Sequence, residues 1–374
     1  MKRMLGRAVG LGLVAVMCVA CSAGGDGDDN PPAKVYKYYV YVANYAISGG
    51  VSAFTINAST GALTAIQGAP AGNRSNSVAI GPTGKFAYVT NENSADVSVF
   101  SIYASTGDLM PINGSPFATG YFPYSVAIDP AGKFAYVGIG GSSSVSAFTI
   151  NAATGALTAV AGSPFAAGYL PWSVAVDPTG KFAYVANAGV GTVSAFTINA
   201  ATGALTTVAG SPFAGGANPY SVAIDPTGKF AYVANGSNPG AVSAFAISAA
   251  TGALTTVAGS PFAAGADPYS VAIDPTGKFA YVANAGSDSV SAFVVNATTG
   301  ALTAVAGSPF AAGDWPNSVA VDPTGKFAYV ANYSSNSVSA YAINATTGAL
   351  TAVAGSPFAA GAYPRCIAIV RIEQ

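Results

Sequence analysis

One position in a repeated loop carries the side chains best suited to bind a ligand. It stands next to the loop proline (a serine in the first copy) and begins an apolar run. Its seven occupants are four aromatic residues, two amides and one guanidinium: Asn76, Tyr124, Trp172, Tyr220, Tyr269, Asn317 and Arg365. Aromatic faces beside amides and an arginine suit a sugar or a small anionic ligand. The alternative is that the aromatic residues only cover the packing between repeats.

Histidine is missing from the sequence, which restricts the available chemistry. Its absence excludes Ser-His-Asp and Cys-His catalysis, histidine acid–base catalysis and histidine metal ligation. The three cysteines are too few for a zinc site of four thiolates. We therefore predict no catalytic residue of these classes, no metal site and no cofactor.

These candidate residues lie in a repeat of nearly constant length. The lysine of a Pro-Thr-Gly-Lys or Pro-Ala-Gly-Lys turn recurs at steps of 48, 48, 48, 49 and 48 residues, at Lys85, Lys133, Lys181, Lys229, Lys278 and Lys326. A fixed period in this range indicates a solenoid, a propeller or another array.

Each period contains four short apolar runs separated by turn residues. In one copy the runs are Ser221–Ile224, Phe230–Ala234, Val242–Ile247 and Leu254–Val257. Asp225 begins an Asp-Pro-Thr-Gly sequence typical of a type I turn, which favours a structural role for this repeated aspartate. The runs are apolar on both faces, which indicates sheets covered on both sides. The unit is therefore predicted to be a four-stranded antiparallel meander.

The two ends of the repeat region complement each other. The N-terminal copy begins with a second strand, Tyr39–Asn44, and the C-terminal copy ends after a first strand, Cys366–Val370. Pairing these fragments would complete one unit and leave no open sheet edge. The count is then 1 + 6 = 7 units. We predict an all-β, closed seven-bladed β-propeller, with an open β-solenoid as the alternative.

The loops differ between the two predicted faces of the disc. The turn between the first and second strands hardly varies among copies, whereas the loop between the second and third strands varies freely, from Glu-Asn-Ser-Ala-Asp to Tyr-Ser-Ser-Asn-Ser. Variation on one face is typical of a binding surface, and drift in permissive loops explains it equally well.

The N-terminus has the pattern of an export signal. Lys2, Arg3 and Arg7 precede an apolar run, Ala8 to Ala20, that is short for a bilayer span. The Val-Ala-Cys that ends at Cys21 resembles the lipobox of bacterial lipoproteins. That resemblance implies lipidation of Cys21, export, and a location in the periplasm, at the outer membrane or on the cell surface. The alternative is an ordinary cleaved signal peptide.

We therefore divide the chain into three parts. Residues 1–20 are predicted to be a lipoprotein-type signal peptide, residues 21–36 a flexible linker and residues 37–374 the propeller. The whole chain has 14 basic and 15 acidic residues and is only 8% charged, so no basic patch for nucleic acid is expected. We expect a monomer that contacts the membrane only through a lipid anchor.

The repeat also resembles a known family. Tyr88-Val89-Thr90-Asn91 spells the signature of YVTN β-propeller repeats, and the wider pattern is similar to the seven-bladed lactonase family typified by 6-phosphogluconolactonase. The resemblance extends from about Tyr38 to Ile372. Members of that family often carry His-Pro-Arg-His where the inner strand begins, and here only Pro364-Arg365 matches.

Two functions follow as expectations. The first is a binding or interaction module at the cell envelope for a small molecule, a glycan or a protein. The second, implied by the family resemblance and by Arg365, is hydrolysis of a sugar lactone.

Overall fold

The computed structural model describes residues 34–374, and the compact unit spans Val35–Gln374. It consists of seven antiparallel sheets, numbered here as blades I to VII, whose innermost strands contact those of both neighbouring blades. The predicted seven-bladed propeller is confirmed. The expectations for the signal peptide, for Cys21 and for most of the linker lie outside the described residues. Within residues 34–374, no helix has the length and apolar character needed to cross a bilayer.

Blade I closes the ring, as the sequence predicts. It combines the N-terminal strands Tyr36–Asn44, Gly50–Ile56 and Leu63–Pro70 with the C-terminal strand Pro364–Glu373. The first and last strands of the chain are antiparallel partners from Tyr36 opposite Glu373 to Asn44 opposite Pro364. This pairing leaves neither terminal strand with an open edge at the closure.

The other six blades, in chain order from blade II to blade VII, repeat one plan. Their first strands are Ser75–Ile80, Pro123–Ile128, Pro171–Val176, Pro219–Ile224, Pro268–Ile273 and Pro316–Val321. The second strands are Phe86–Asn91, Phe134–Ile139, Phe182–Asn187, Phe230–Asn235, Phe279–Asn284 and Phe327–Asn332. The third strands are Asp96–Ile102, Ser144–Ile150, Thr192–Ile198, Ala241–Ile247, Ser289–Val295 and Ser337–Ile343.

The outer strand of these six blades departs from the simple four-stranded meander. It is split into Leu109–Pro111 and Phe117–Ala118, Leu157–Ala159 and Phe165–Ala166, Leu205–Thr207 and Phe213–Ala214, Leu254–Thr256 and Phe262–Ala263, Leu302–Ala304 and Phe310–Ala311, and Leu350–Ala352 and Phe358–Ala359. A Gly-Ser-Pro sequence causes the split, since proline cannot donate to the ladder. At this point the serine hydroxyl replaces the missing backbone acceptor: Ser163 Oγ accepts the N–H of Ala147 at 2.9 Å. Two short 3₁₀ turns, Gly140–Ser142 and Ala285–Ser287, lie in the loops after second strands.

The core lies between adjacent blades. Each second strand is almost completely buried, and its tyrosine reaches the next blade: Tyr232 Oη donates to the Gly300 carbonyl at 3.0 Å. The turn aspartate has the predicted structural role, because Asp225 Oδ1 accepts the N–H groups of Lys229 and Phe230 at 2.7 Å each. These contacts fix the blades and thereby the positions of the loops at the channel mouth.

Candidate functional site

The seven predicted ring residues line one cavity at the channel mouth. The cavity has a volume of about 110 Å³, and its wall contains Asn76, Tyr124, Trp172, Tyr220, Tyr269, Asn317 and Arg365. The residue that follows each of them forms a second layer: Ser77, Ser125, Ser173, Ser221, Ser270, Ser318 and Cys366. Because ligand pockets usually enclose about 300–1,000 Å³, this cavity suits a small ligand or one protruding group of a larger one.

A bulge at the start of each inner strand places the ring residue in the cavity wall. In blade V, Pro219 is opposite Asn235 and Ser221 is opposite Ala234, so Tyr220 is an extra residue between two paired ones. The same shift occurs in all seven blades. A bulge bends the strand and re-aims a side chain. The sequence pattern located these residues but did not reveal the bulge.

Blades III to VI form the aromatic half of the mouth. Tyr124 is stacked on Trp172 with 4.4 Å between ring centroids, and Tyr220 is stacked on Tyr269 at 4.5 Å. Trp172 joins the two pairs, at 5.2 Å from Tyr220. On this side, ring residues of neighbouring blades therefore stack on one another.

Blades VII, I and II form the polar half, with Asn317, Arg365 and Asn76. Arg365 Nε donates to Asn76 Oδ1 at 2.7 Å, and its Nη2 lies 3.5 Å from Tyr269 Oη. The guanidinium carbon lies 4.7 Å from the Tyr45 ring centroid and 5.4 Å from that of Trp172. Arg365 is therefore held by cation–π contacts and one short hydrogen bond, and its Nη donors have only a long contact.

Asn317 is the most informative residue of the polar half. Its side chain is only 4% exposed, and within residues 34–374 neither Oδ1 nor Nδ2 has a hydrogen-bond partner. A buried amide without a partner costs about 1–3 kcal/mol. Both atoms have almost no accessible surface, so a ligand in the cavity reaches them only if the side chain turns toward it.

Sequence reasoning missed Glu92, which lies directly behind the cavity wall. Glu92 Oε2 accepts the Nδ2 of Asn76 at 2.9 Å, Oε1 accepts the hydroxyl of Tyr45 at 2.7 Å, and Oε1 lies 3.8 Å from Nη1 of Arg74. One signal was available: the residue after each second strand is Tyr45, Glu92, Gly140, Ala188, Gly236, Ala285 or Tyr333, and only one of these is charged.

Burial raises the pKa of the tyrosines Tyr124 and Tyr220 in the cavity wall. Burial raises the pKa of Tyr269, with Arg365 opposing the shift, and burial with the Glu92 hydrogen bond raises the pKa of Tyr45 to about 12. Burial also raises the pKa of the Cys366 thiol. The cavity wall therefore offers hydrogen-bond donors and contains no group that acts as a base at pH 7. No group of three His, Cys, Asp or Glu side chains within residues 34–374 is arranged to hold a metal ion.

Structural comparison shows the same fold in other proteins. A Bacteroides fragilis protein, assigned provisionally as a 6-phosphogluconolactonase, matches with a TM-score of 0.76 and 24% identity over 89% of this chain and 98% of its own. The periplasmic gluconolactonase of Pseudomonas aeruginosa matches with a TM-score of 0.75 and 19% identity, over 89% and 99%. Hydrazine synthase of Kuenenia stuttgartiensis matches with a TM-score of 0.60 and 21% identity, over 86% and 99%. At these identities the similarity concerns the fold alone.

Sequence comparison identifies the family. No curated protein sequence matches the chain. The family model described as "Lactonase, 7-bladed beta-propeller" matches residues 33–121, 79–216, 207–279 and 259–369, which together span nearly the whole propeller. The chain therefore belongs to the lactonase family of seven-bladed β-propellers.

Proposed function

We propose that the channel mouth binds a small sugar lactone and promotes its hydrolysis. The observation that carries this proposal is that Arg365 and Asn317, from neighbouring blades, line the same cavity. Within residues 34–374 the buried Asn317 amide has no hydrogen-bond partner, and the Arg365 Nη groups have one long contact, to Tyr269 Oη. A lactone carbonyl supplies an acceptor for these donors, and membership of the lactonase family supports this ligand class.

The reaction follows from the charge that develops on the carbonyl oxygen. Water adds to the carbonyl carbon, the bond to the ring oxygen breaks, the ring oxygen ends as a hydroxyl and the acid proton goes to solvent. Arg365 donates to the oxyanion of the tetrahedral intermediate, and Asn317 adds a second donor once its side chain turns toward the cavity. Since no base lines the cavity, water is activated by solvent alone, and we expect acceleration from oxyanion stabilisation only.

The test is hydrolysis of glucono-1,5-lactone and 6-phosphogluconolactone by the full chain, followed by acid release. We expect turnover above the spontaneous rate and a loss of about 100-fold in Arg365→Ala, the size seen when one oxyanion donor is removed. Arg371→Ala is the matched control, because Arg371 is exposed on the same strand and stacks on Tyr36. A rate equal to the spontaneous one for both lactones would rule out the hydrolase.

The second candidate function is binding without turnover, which the absence of a base in the cavity wall favours. The ligand would then be a sugar lactone, a sugar acid or a terminal sugar of a glycan. Trp172 lies within the site and reports binding by its fluorescence, once the other tryptophan is removed with Trp315→Phe. A saturable signal with D-gluconate but no lactone hydrolysis would select this candidate.

We also propose that the protein acts at the cell envelope, tethered through lipidated Cys21. The lipobox-like sequence supports this assignment. Cys21→Ala is expected to release the protein from the membrane fraction, and acylated, membrane-bound protein in that variant would contradict the proposal.

A further inference from the structure

Glu92 is a buried carboxylate that touches the mouth only through other side chains. It is 8% exposed and accepts hydrogen bonds from Tyr45 and from Asn76. A carboxylate only accepts, so the Asn76 amide must present its nitrogen to Glu92. The Asn76 oxygen is consequently turned to Arg365, which it meets at 2.7 Å.

This chain of contacts determines which edge of the guanidinium remains available. The Nε–H of Arg365 is used by Asn76, so the side edge formed by Nε and Nη2 cannot bind a ligand in a bidentate way. The end edge, formed by Nη1 and Nη2, has only the 3.5 Å contact to Tyr269 Oη. The Tyr45 ring, 4.7 Å from the guanidinium carbon, supports the group from one face, and Glu92 holds the Tyr45 hydroxyl as well.

Direct charge pairing with Arg365 does not account for the position of Glu92. The ion pair of Glu92 is with Arg74 at 3.8 Å, and the Arg74 side chain is 42% exposed. The pair is long and its arginine is solvent-exposed, so screening weakens the attraction. What Glu92 provides to the site is therefore the orientation of two neighbours of Arg365.

We infer that Glu92 is a positioning residue, which acts through Asn76 and Tyr45 to hold Arg365 with its end edge toward the cavity. This inference rests on the proposed function, because it requires a ligand oxygen at the mouth that accepts hydrogen bonds from Arg365. It also defines the preferred ligand: a planar carboxylate, bound end-on by two Nη groups, fits better than a single carbonyl oxygen. The mouth should thus bind the open-chain sugar acid more tightly than the lactone.

The fold tolerates removal of this carboxylate. The equivalent position is alanine in blades IV and VI, at Ala188 and Ala285, and glycine in blades III and V. Glu92→Ala therefore gives blade II a side chain that other blades already carry. Glu92→Gln is the conservative variant, since its amide oxygen can accept from Asn76 while the Tyr45 hydroxyl turns to accept from the amide nitrogen.

The first measurement needs no ligand. The sequence holds five arginines, so the Nε–H signals in a ¹⁵N-detected NMR spectrum are few and Arg365 can be assigned with Arg365→Lys. We expect the Arg365 Nε–H to exchange with solvent at least 10-fold faster in Glu92→Ala, and at nearly the parent rate in Glu92→Gln. Asp314→Ala, another carboxylate removed from the same face, is the control. Unchanged exchange in Glu92→Ala would overturn the inference.

The second measurement separates positioning from charge, because the two effects have opposite signs. D-gluconate binding is followed by Trp172 fluorescence in the Trp315→Phe background. Removing a negative charge by itself tightens the binding of an anion, whereas losing the orientation of Arg365 weakens it. We expect about 10-fold weaker binding in Glu92→Ala and parent-like or tighter binding in Glu92→Gln. Tighter binding in Glu92→Ala would overturn the inference. If the parent protein neither binds gluconate nor hydrolyses lactones, the proposed function is overturned. The NMR result still decides the role of Glu92 in that case.

Discussion

The two halves of the channel mouth are packed differently. In the aromatic half, the ring residue is large and the residue after the second strand is glycine or alanine. A Cβ atom at Gly140 would lie 2.2 Å from the Tyr124 ring, and one at Gly236 would lie 2.1 Å from the Tyr220 ring. In the polar half the residue after the second strand is larger: Glu92 is hydrogen-bonded to Asn76, and the Tyr45 ring lies against Arg365.

This difference shows that the ring residue and the residue after the second strand pack against each other. Interiors are close-packed, so the large aromatic ring residues Tyr124 and Tyr220 require glycine at the second position. In the aromatic half, the ring side chains fill the space by stacking on one another, which makes this half rigid. The polar half instead places an arginine and two amides in the cavity wall, with a carboxylate behind them.

The largest effect is expected from removing the centre of the aromatic half. Trp172 contacts Tyr124, Tyr220 and Arg365. Trp172→Ala should lower the free energy of unfolding by about 3 kcal/mol, from lost burial and stacking. Urea unfolding measures this, with Trp315→Ala as the control, because Trp315 is exposed and should change stability by about 0.5 kcal/mol or less. Equal effects of the two substitutions would mean that the aromatic half carries no special packing.

A transplant between the halves tests whether the two positions are coupled. Gly236→Tyr places a polar-half residue type beside Tyr220 and should cost about 2 kcal/mol by overpacking. Tyr220→Asn in the same chain makes room and should recover most of that loss. A double-mutant cycle on unfolding free energies gives the coupling energy, and additivity of the two changes would refute the pairing.

Sequence alone predicts the common features of the blades and fails where the blades differ. Seven blades and closure of the ring could be predicted from the repeat period, the turn at Asp225 and the complementary ends Tyr39–Asn44 and Cys366–Val370. The ring residues were also found, because they occupy one position of the repeat. The bulge that aims them, and the contact of Glu92 with Asn76, depend on strand register and on neighbours distant in sequence. No pattern within one repeat encodes these.

The two asparagines of the polar half should respond in opposite ways to loss of their amides. Asn317 has no hydrogen-bond partner, whereas Asn76 has two, Glu92 and Arg365. Asn317→Leu should raise the free energy of unfolding by about 1 kcal/mol, since an unsatisfied amide is removed, and should weaken ligand binding. Asn76→Leu should lower it by about 2 kcal/mol because Glu92 and Arg365 each lose a hydrogen bond. Destabilisation by Asn317→Leu comparable to that by Asn76→Leu would indicate that the Asn317 amide is not a vacant binding group.

The smallest effect concerns the one thiol in the layer beneath the ring. At six blade junctions a serine hydroxyl accepts an N–H from the next inner strand, as Ser173 Oγ does from Val222 at 3.2 Å. At the junction from blade I to blade II the corresponding residue is Cys366, whose thiol donates weakly to Ser77 Oγ and to the Val78 carbonyl, both at 3.8 Å, and whose sulfur is a poorer acceptor than a hydroxyl. Cys366→Ser should therefore raise the free energy of unfolding by about 0.5–1 kcal/mol, the net value of one hydrogen bond. The reverse change at an ordinary junction, Ser221→Cys, should lower it by a similar amount. If Cys366→Ser instead destabilised the fold, the closing blade would depend on the larger sulfur for packing, and the seventh junction would differ from the other six in volume rather than in hydrogen bonding.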